Sequence, residues 1–166
     1  GAYLGDNLLK VTVSSYSRPH PKSTKIEAKV CGHYVNSILA VTEAKTKGFD
    51  EAILLDTEGN LAEGPGSNLF FEKDGKLFTP KTGHILPGIT RATVIELCKT
   101  LDIEITEGSF LPEDLANADA AFLCGTAAEI IGLQSFENKE FPIHFQDSLG
   151  RKLQTAYKNL VLEKEC

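Results

Sequence analysis

Apolar residues along this chain switch between the two-residue spacing of strands and the three- to four-residue spacing of helices. The strand spacing predicts a strand over residues 8–15, and short apolar runs and turn signals predict strands over residues 51–56, 68–72, 76–79, 103–106 and 119–124, with short strands around a turn at Asn138 within residues 130–145. The helical spacing predicts helices over residues 34–47, 90–101, 112–118 and 147–162. Because strands and helices are interspersed without repeats or low-complexity tracts, the sequence predicts one mixed α/β domain over residues 1–166.

Two of these segments make more detailed predictions about turns and packing. Asp74-Gly75 separates two predicted strands and is typical of a tight hairpin turn. The helix over residues 34–47 carries a stripe of positions at helical spacing, which we expect to face the core. The stripe consists of Val35, Ile38, Leu39 and Thr42.

The composition narrows the class of protein without identifying a reaction. The 166 residues carry a net charge of −6, which argues against a general nucleic-acid-binding or anionic-membrane surface. No apolar run approaches the roughly 20 residues that span a bilayer, and the start shows no signal-peptide pattern. The four cysteines are scattered without a C-x-x-C pair, which predicts neither a zinc site nor a redox motif and favours a cytoplasmic location.

A first candidate site is the run Leu86-Pro87-Gly88-Ile89-Thr90-Arg91, which joins a Gly/Pro turn to a helix that begins near Thr90. Unpaired backbone N–H groups and the partial positive charge of a helix N-terminus favour binding of a phosphate group. The Thr90 hydroxyl can add a further donor. For this run alone, a plain helix start is the alternative.

Two charged residues are candidates for chemistry. Lys29 lies between an alanine and an apolar valine, where desolvation would favour the neutral amine that attacks carbonyl carbons and forms Schiff bases. Glu63 lies in a Gly-rich turn between two strands, where the backbone approaches closely enough for a carboxylate to reach a ligand. A surface lysine and a solvated loop acid are the alternatives.

The turn Gly125-Thr126-Ala127-Ala128-Glu129 follows a predicted buried strand. Ligands bind beyond the carboxyl ends of strands in α/β folds, so its N–H groups and Thr126 could hold an anion. An ordinary strand-to-helix turn is the alternative. The histidines lie in unlike contexts and predict neither a metal site nor a catalytic triad. They are His20, His33, His84 and His144.

Taken together, these segments resemble the fold-type IV pyridoxal-phosphate enzymes, most closely the branched-chain amino-acid aminotransferases. The resemblance rests on four runs in the family's order and approximate spacing, which are residues 28–37 (A-K-V-C-G-H-Y-V-N-S), 63–70 (E-G-P-G-S-N-L-F), 86–91 and 125–129. It implies a mixed α/β fold, the cofactor-binding large domain of the D-amino-acid aminotransferase-like architecture.

The resemblance also implies roles by position. Lys29 would form the Schiff base with pyridoxal 5′-phosphate and carry a proton between the substrate Cα and the cofactor C4′, and Tyr34 would hydrogen-bond the phenolic oxygen. Glu63 would pair with the pyridine nitrogen and keep it protonated, so that the ring accepts electrons. The other implied contacts are Ile89, Thr90 and Thr126 to the phosphate, Thr126 and Ala127 to the substrate carboxylate, and Tyr3 in the substrate pocket.

The implied reaction is transfer of an amino group from leucine, isoleucine or valine to 2-oxoglutarate, by a ping-pong route through the pyridoxamine form, in a homodimer. D-amino-acid aminotransferase and aminodeoxychorismate lyase of the same fold are alternatives, as is a truncated domain without catalysis. Cys31, His33 and Ser67 depart from the usual family residues, and these departures bear on substrate specificity.

The start of the chain departs from the family, whose members carry a small N-terminal domain before this point. The sequence contains no methionine and opens on Gly1-Ala2-Tyr3-Leu4-Gly5, which is typical of the middle of a protein. We therefore expect a fragment or processed product that contains the large domain alone. Without a small domain to close over the substrate and exclude water, we expect little turnover.

Overall fold

The structure, a computed structural model, describes residues 7–163 of the chain. These residues contain nine strands and four α-helices. The strands are β1 (Leu9–Ser17), β2 (Glu51–Leu55), β3 (Leu61–Glu63), β4 (Asn68–Lys73), β5 (Lys76–Pro80), β6 (Ile105–Gly108), β7 (Ala120–Gly125), β8 (Glu129–Phe136) and β9 (Lys139–Glu140). The helices are α1 (Tyr34–Thr46), α2 (Ile89–Thr100), α3 (Pro112–Ala116) and α4 (Leu149–Glu163). The predicted mixed α/β class is confirmed.

The strands form one sheet that closes on itself. Their order is β3-β2-β1-β8-β7-β4-β5-β6, with β9 paired to β8, and β3 also pairs with β4. The strands from β3 round to β4 therefore form a barrel, and β5 and β6 extend the sheet beyond it. Glu63 is opposite Asn68, and Asn68 is opposite Cys124, so these residues lie side by side across β3, β4 and β7.

Alternate residues of β4 and β7 pack into two different cores. Leu69 and Leu123 belong to the cluster that also takes residues from β1, β2 and α3. Phe70 and Phe122 face the opposite cluster, with α2 and α4, where their rings stack with centroids 5.0 Å apart. Because successive side chains of a strand point to opposite faces, both strands are divided between two buried faces.

Helix α1 buries a different face from the one that its sequence predicts. Its buried residues are Ser37, Ala40 and Ala44, and the two alanines pack with residues of β2. The predicted core stripe is instead exposed, to 62% for both Val35 and Ile38, so that prediction is wrong. Small side chains let the helix approach the sheet closely, which leaves the larger apolar side chains on the other face.

Turns were predicted with mixed success. Asp74-Gly75 joins β4 to β5 with positive φ angles of 51° and 73°, so the predicted hairpin is confirmed. The turn after Gly125 leads into β8 rather than into a helix, and β7 has antiparallel neighbours on both sides. The argument from carboxyl ends in α/β folds therefore does not hold for Thr126, which lies in a hairpin turn.

Strand β3 was not predicted, because a three-residue strand is too short to show a spacing pattern.

Cys98 and Cys124 are buried among apolar residues. Burial raises the pKa of Cys98 to about 11 and that of Cys124 to about 12, so both thiols stay protonated. Within residues 7–163, no helix combines the length and the apolar character needed to cross a membrane. In the same range, no three or more His, Cys, Asp or Glu residues are grouped so that they could hold a metal ion.

Candidate active site

One cavity collects candidate residues from separate stretches of the sequence. It has a volume of about 270 Å³ and is bounded by segment 28–34, the β3–β4 turn, the start of α2 and the end of β7. The predicted site residues that line it are Lys29, Tyr34, Glu63, Ile89, Thr90 and Thr126. Ala127 follows Thr126 in the exposed β7–β8 turn but is not part of the lining, and Tyr3 lies outside the described residues.

Glycines let the loops around this cavity approach one another. A Cβ on Gly64 would meet the Ser67 Oγ at 2.6 Å, within the β3–β4 turn. A Cβ on Gly88 would collide with the side-chain oxygen of Asn68, whose Nδ2 donates to the Leu86 carbonyl at 2.9 Å. The absence of these side chains therefore lets the loop before α2 lie directly against the start of β4.

Glu63 is 2% exposed and is held by donors from three parts of the chain. Its Oε1 accepts from the Arg18 Nε at 2.8 Å and lies 2.7 Å from the Arg18 Nη2. Its Oε2 accepts from the Asn68 Nδ2 at 3.1 Å. The Leu86 N–H is shared between the two oxygens, at 3.2 Å from each. The carboxyl group is thus fixed in place in the cavity wall.

Two opposing effects set the charge of Glu63. Burial raises its pKa to about 7, because removal of water disfavours the carboxylate, while Arg18 and the Leu86 N–H act in the opposite direction. Near neutral pH the group can therefore exist as an acid or as a carboxylate. A ligand that brings a positively charged N–H into the cavity would favour the carboxylate.

Lys29 and Tyr34 lie at the mouth of the cavity. Tyr34 is the first residue of α1 and is 42% exposed, and the Lys29 side chain is also exposed. The desolvation of Lys29 that the sequence suggested is therefore not provided by the described residues. The physical reason is that the residues around Lys29 form neither helix nor strand and, apart from the buried Ile26, have little packed over them.

The start of α2 has the features of an anion site. The helix begins at Ile89, next to the predicted start, and its first turn contains no acidic residue. The Ala92 N–H donates to the Gly88 carbonyl at 3.0 Å, so the N–H groups of the three preceding residues have no partner within the helix. Thr90 and Arg91 are both buried, and the Arg91 guanidinium adds a positive charge to this end of the helix.

Sequence reasoning missed the two side chains that hold Glu63. Residues 17–24 have the polar, proline-containing pattern of a surface loop, yet Arg18 is 7% exposed and contacts a carboxylate 45 positions away. Asn68 lies within the run that indicated a site, but no role was predicted for it. A charged residue directly after an alternating strand is the one local signal for Arg18.

The chemistry of these groups is specific when they are taken together. An amine, a phenol, a buried carboxyl group and a helix N-terminus face one cavity. The amine can condense with an aldehyde, and the phenol can donate a hydrogen bond to a phenolic oxygen. The carboxyl group can pair with a basic ring nitrogen, and the helix N-terminus can bind a phosphate.

The sequence profile of amino-transferase class IV matches residues 2–136, and the chain belongs to this family. Among its relatives, the branched-chain-amino-acid aminotransferase of Pseudomonas aeruginosa is 39% identical over 99% of this chain and 55% of its own length. The enzyme of the same name from Escherichia coli K12 is 45% identical over 96% of this chain and 53% of its own length. The chain therefore spans about half the length of the curated relatives it matches.

Solved structures agree with this assignment. The branched-chain aminotransferase of the archaeon Thermoproteus uzoniensis, crystallised with norvaline, superposes with a TM-score of 0.93 at 39% identity, over 99% of this chain and 55% of that one. The branched-chain amino acid aminotransferase of Thermobaculum terrenum in its PLP form gives a TM-score of 0.93 at 37% identity, over 97% and 53%. The predicted fold-type IV architecture is confirmed.

Proposed function

We propose that this chain is the pyridoxal-phosphate-binding part of a branched-chain amino-acid aminotransferase, which transfers amino groups from leucine, isoleucine or valine to 2-oxoglutarate. The observation that carries the proposal is the buried carboxyl group of Glu63 in the same cavity as the amine of Lys29. The four relatives described above support it, since each is named as a branched-chain aminotransferase and each matches at least 96% of the chain.

The donor groups of the cavity fit pyridoxal 5′-phosphate. When bound, this cofactor supplies an aldehyde that condenses with amines and a ring that withdraws electrons from the substrate Cα. Lys29 Nζ would hold the aldehyde carbon at rest and would carry the proton between Cα and C4′. The Tyr34 hydroxyl would donate to the phenolic oxygen, and the Glu63 carboxylate would accept from the ring nitrogen and keep it protonated.

The remaining predicted contacts divide between the phosphate and the substrate. The N–H groups at Ile89 and Thr90, with the hydroxyls of Thr90 and Thr126, would hold the phosphate. The N–H groups of Thr126 and Ala127 would receive the substrate carboxylate, and Tyr3 would form part of the substrate pocket. With both roles, Thr126 would help to fix the substrate relative to the cofactor.

We also propose that the chain corresponds to the large domain and that turnover needs the rest of the relatives' length. The cavity is open, since Lys29, Tyr34 and Ile89 are all exposed around it. An additional domain would cover these groups, exclude water and complete the substrate pocket.

We propose that the exposed apolar face of α1, formed by Val35, Ile38 and Leu39, packs against a second copy of the chain in a homodimer. This face continues from Tyr34 at the cavity mouth, so an interface there would cover the open side of the site. Ile38→Glu is expected to shift the protein from dimer to monomer in sedimentation equilibrium, because a buried unpaired carboxylate is costly. Thr155→Glu, at an exposed position of α4, is the comparison variant and is expected to leave the dimer unchanged.

Sedimentation separates the possible occupants of this face. The comparison uses this chain and a longer polypeptide that extends it to the length of the relatives. If the wild type is a monomer in both forms, the proposed dimer is overturned. A monomeric chain whose longer polypeptide is a dimer unaffected by Ile38→Glu would assign the face to the additional domain instead, which also contradicts the proposal.

We place the protein in the cytoplasm. Cys31, Cys98 and Cys124 are free thiols in the described part of the chain, and free thiols persist in a reducing compartment.

The direct test of the cofactor proposal is covalent trapping. The purified chain is incubated with pyridoxal 5′-phosphate, its absorption spectrum is recorded, and borohydride is added before peptide mapping. The expected result is a Schiff-base band that becomes a reduced adduct on Lys29. An adduct spread over several exposed lysines, in this chain and in the longer polypeptide alike, would overturn the assignment of Lys29.

A substrate panel on the longer polypeptide tests the type of reaction. Preference for branched-chain L-amino acids with 2-oxoglutarate is expected. Preference for D-amino acids, or release of pyruvate from aminodeoxychorismate without an amino acceptor, would replace the proposal by another enzyme of the same fold. No turnover with any substrate would indicate a non-catalytic domain.

A further inference from the structure

Arg18 is a buried cation that joins the carboxyl group of Glu63 to helix α1. Its Nε and Nη2 contact the Glu63 Oε1 at 2.8 and 2.7 Å. Its Nη1 donates to the Asn36 Oδ1 and to the Ser37 Oγ, at 3.2 Å each. All three guanidinium nitrogens are therefore engaged, and Arg18 links the cavity wall to the first turns of the helix that begins with Tyr34.

The supports of this link are themselves fixed. The Ser37 hydroxyl donates to the Pro65 carbonyl at 2.7 Å, and the Asn36 Nδ2 donates to the Ser17 carbonyl at 2.9 Å. The guanidinium therefore lies in a preformed frame made by α1, the β3–β4 turn and the end of β1. A side chain held in this way does not need to reorganise when a ligand enters.

The two oxygens of Glu63 are used unequally. Oε1 receives two contacts from Arg18 and a share of the Leu86 N–H. Oε2 receives the Asn68 Nδ2 and the other share of the Leu86 N–H. Since a carboxylate offers about two acceptor sites on each oxygen, Oε1 is saturated, and Oε2 keeps capacity for one more donor.

We propose that Arg18 is a positioning residue, which acts through Glu63: it occupies Oε1, favours the carboxylate form of Glu63 and leaves Oε2 as the acceptor for the protonated ring nitrogen of the cofactor. This inference rests on the proposed function, because it concerns the same site. It adds a residue that no motif of the sequence indicated, and it states which carboxylate oxygen acts.

The electrostatics of the site agree with this role. Burial raises the pKa of Glu63, and among the charged groups that oppose this, Arg18 acts most strongly and Arg91, from α2, more weakly. The other titratable side chains that line the cavity with Glu63 are Lys29, His33, Tyr34 and Cys124. Without Arg18, Glu63 would be driven further toward the uncharged acid, which cannot hold a proton on a ring nitrogen.

The first experiment uses the cofactor-free chain, so its result does not depend on the proposed function. The Glu63 carboxyl group is titrated by ¹³C NMR in the wild type, Arg18→Gln and Arg18→Lys. Loss of the positive charge in Arg18→Gln is expected to raise the Glu63 titration midpoint by about one to three pH units. Arg18→Lys keeps the charge without the two-pronged contact, and its midpoint is expected to lie between the other two.

The second experiment measures affinity for two cofactors, pyridoxal 5′-phosphate and its analogue with a C–H in place of the ring nitrogen. Arg18→Gln is expected to weaken binding of the natural cofactor about tenfold, the size of one charge-assisted hydrogen bond. Binding of the analogue is expected to be unchanged, because it offers no ring N–H to Glu63. A merely structural role for Arg18 would weaken both cofactors equally.

Arg151→Gln is the matched control, since Arg151 lies in α4 and contacts Gln154 rather than the cavity. It is expected to change neither the Glu63 midpoint nor the preference between the cofactors. If Arg18→Gln does not fold, Arg18→Lys alone decides, by a Glu63 midpoint above that of the wild type and a selective loss of affinity for the natural cofactor. An unchanged Glu63 midpoint, or an equal loss of affinity for both cofactors, overturns the inference.

Failure of the wild type to bind either cofactor would overturn the proposed function, while the NMR titration would still report on the contact between Arg18 and Glu63.

Discussion

Replacing Lys29 by alanine is expected to abolish transamination in the longer polypeptide. Lys29 is the one lysine among the described residues that line the cavity, so no neighbouring amine can take over the Schiff base or the proton transfer. Loss of a positioned acid–base group costs about 10²- to 10⁴-fold, and loss of the covalent step adds to this. The measurement is the rate of the half-reaction with leucine under single-turnover conditions, followed by the cofactor absorbance.

Lys25→Ala is the control for this variant. Lys25 lies four positions earlier in the same exposed segment and is not among the residues that line the cavity. It is expected to leave the rate of the half-reaction and the site of borohydride labelling unchanged. Full activity of Lys29→Ala would contradict the assignment of the catalytic lysine and, with it, the use of this cavity.

The second large effect is expected for Glu63→Gln, which keeps the shape of the side chain but removes its charge. A glutamine cannot hold the ring nitrogen in its protonated form, so the ring withdraws fewer electrons from the substrate Cα. We expect proton abstraction to slow by about 10²-fold or more, the usual cost of losing an electrostatic partner in a preorganised site. The rate of the same half-reaction measures it, and an unchanged rate would mean that Glu63 has a structural role only.

The same variant has an expected signature in the stability of the cofactor-free chain. The pKa of Glu63 is about 7 in the folded state and 4.5 in the unfolded state. Between these pH values the folded state therefore binds one more proton than the unfolded state. The resulting stabilisation is fully present below about pH 4.5 and is lost as the pH rises through about 7. It amounts to about 3 kcal/mol in the free energy of unfolding. Urea unfolding of wild type and Glu63→Gln from about pH 5 to about pH 8 should show that the difference between them depends on pH in this direction.

Glu43→Gln provides the matched control for the pH dependence. Lys47 and Ser14 hold the pKa of Glu43 at about 2, well below its ordinary value. The stabilisation from Glu43 is therefore present above about pH 4.5 and is lost only as the pH falls through about 2. Its variant should differ from the wild type by a constant amount over the range tested. A pH-dependent difference for Glu43→Gln, or a constant one for Glu63→Gln, would contradict the charge assignment at Glu63.

Sequence patterns that depend only on neighbouring residues predicted the structure correctly. The Asp74-Gly75 turn and the start of α2 after Gly88 depend on the φ preferences of a few consecutive residues. The first strand was found by its alternation, and the other strands by short apolar runs or by the turns that bound them. Most residues of the cavity wall lie in the four motifs, each of which is continuous in the sequence, but Arg18 does not.

The predictions that were wrong concern features that depend on which other part of the chain a residue packs against or pairs with. The apolar stripe of α1 has the spacing of a core face, but the sheet accepts the small residues of the opposite face at close range. The turn that contains Thr126 joins antiparallel strands, which is decided by pairing between β7 and β8 and not by the turn itself.

The sequence by itself determined the order of most elements, the class of fold and the four motifs that surround the cavity, because these follow from local spacing and from runs continuous in the chain. Only the tertiary structure decided the exposure of Lys29, the burial of Arg18 and the capture of Glu63 by donors from three parts of the chain. The physical reason is that desolvation and ion pairing depend on distances in space, and Arg18 and Glu63 meet across 45 positions of the chain.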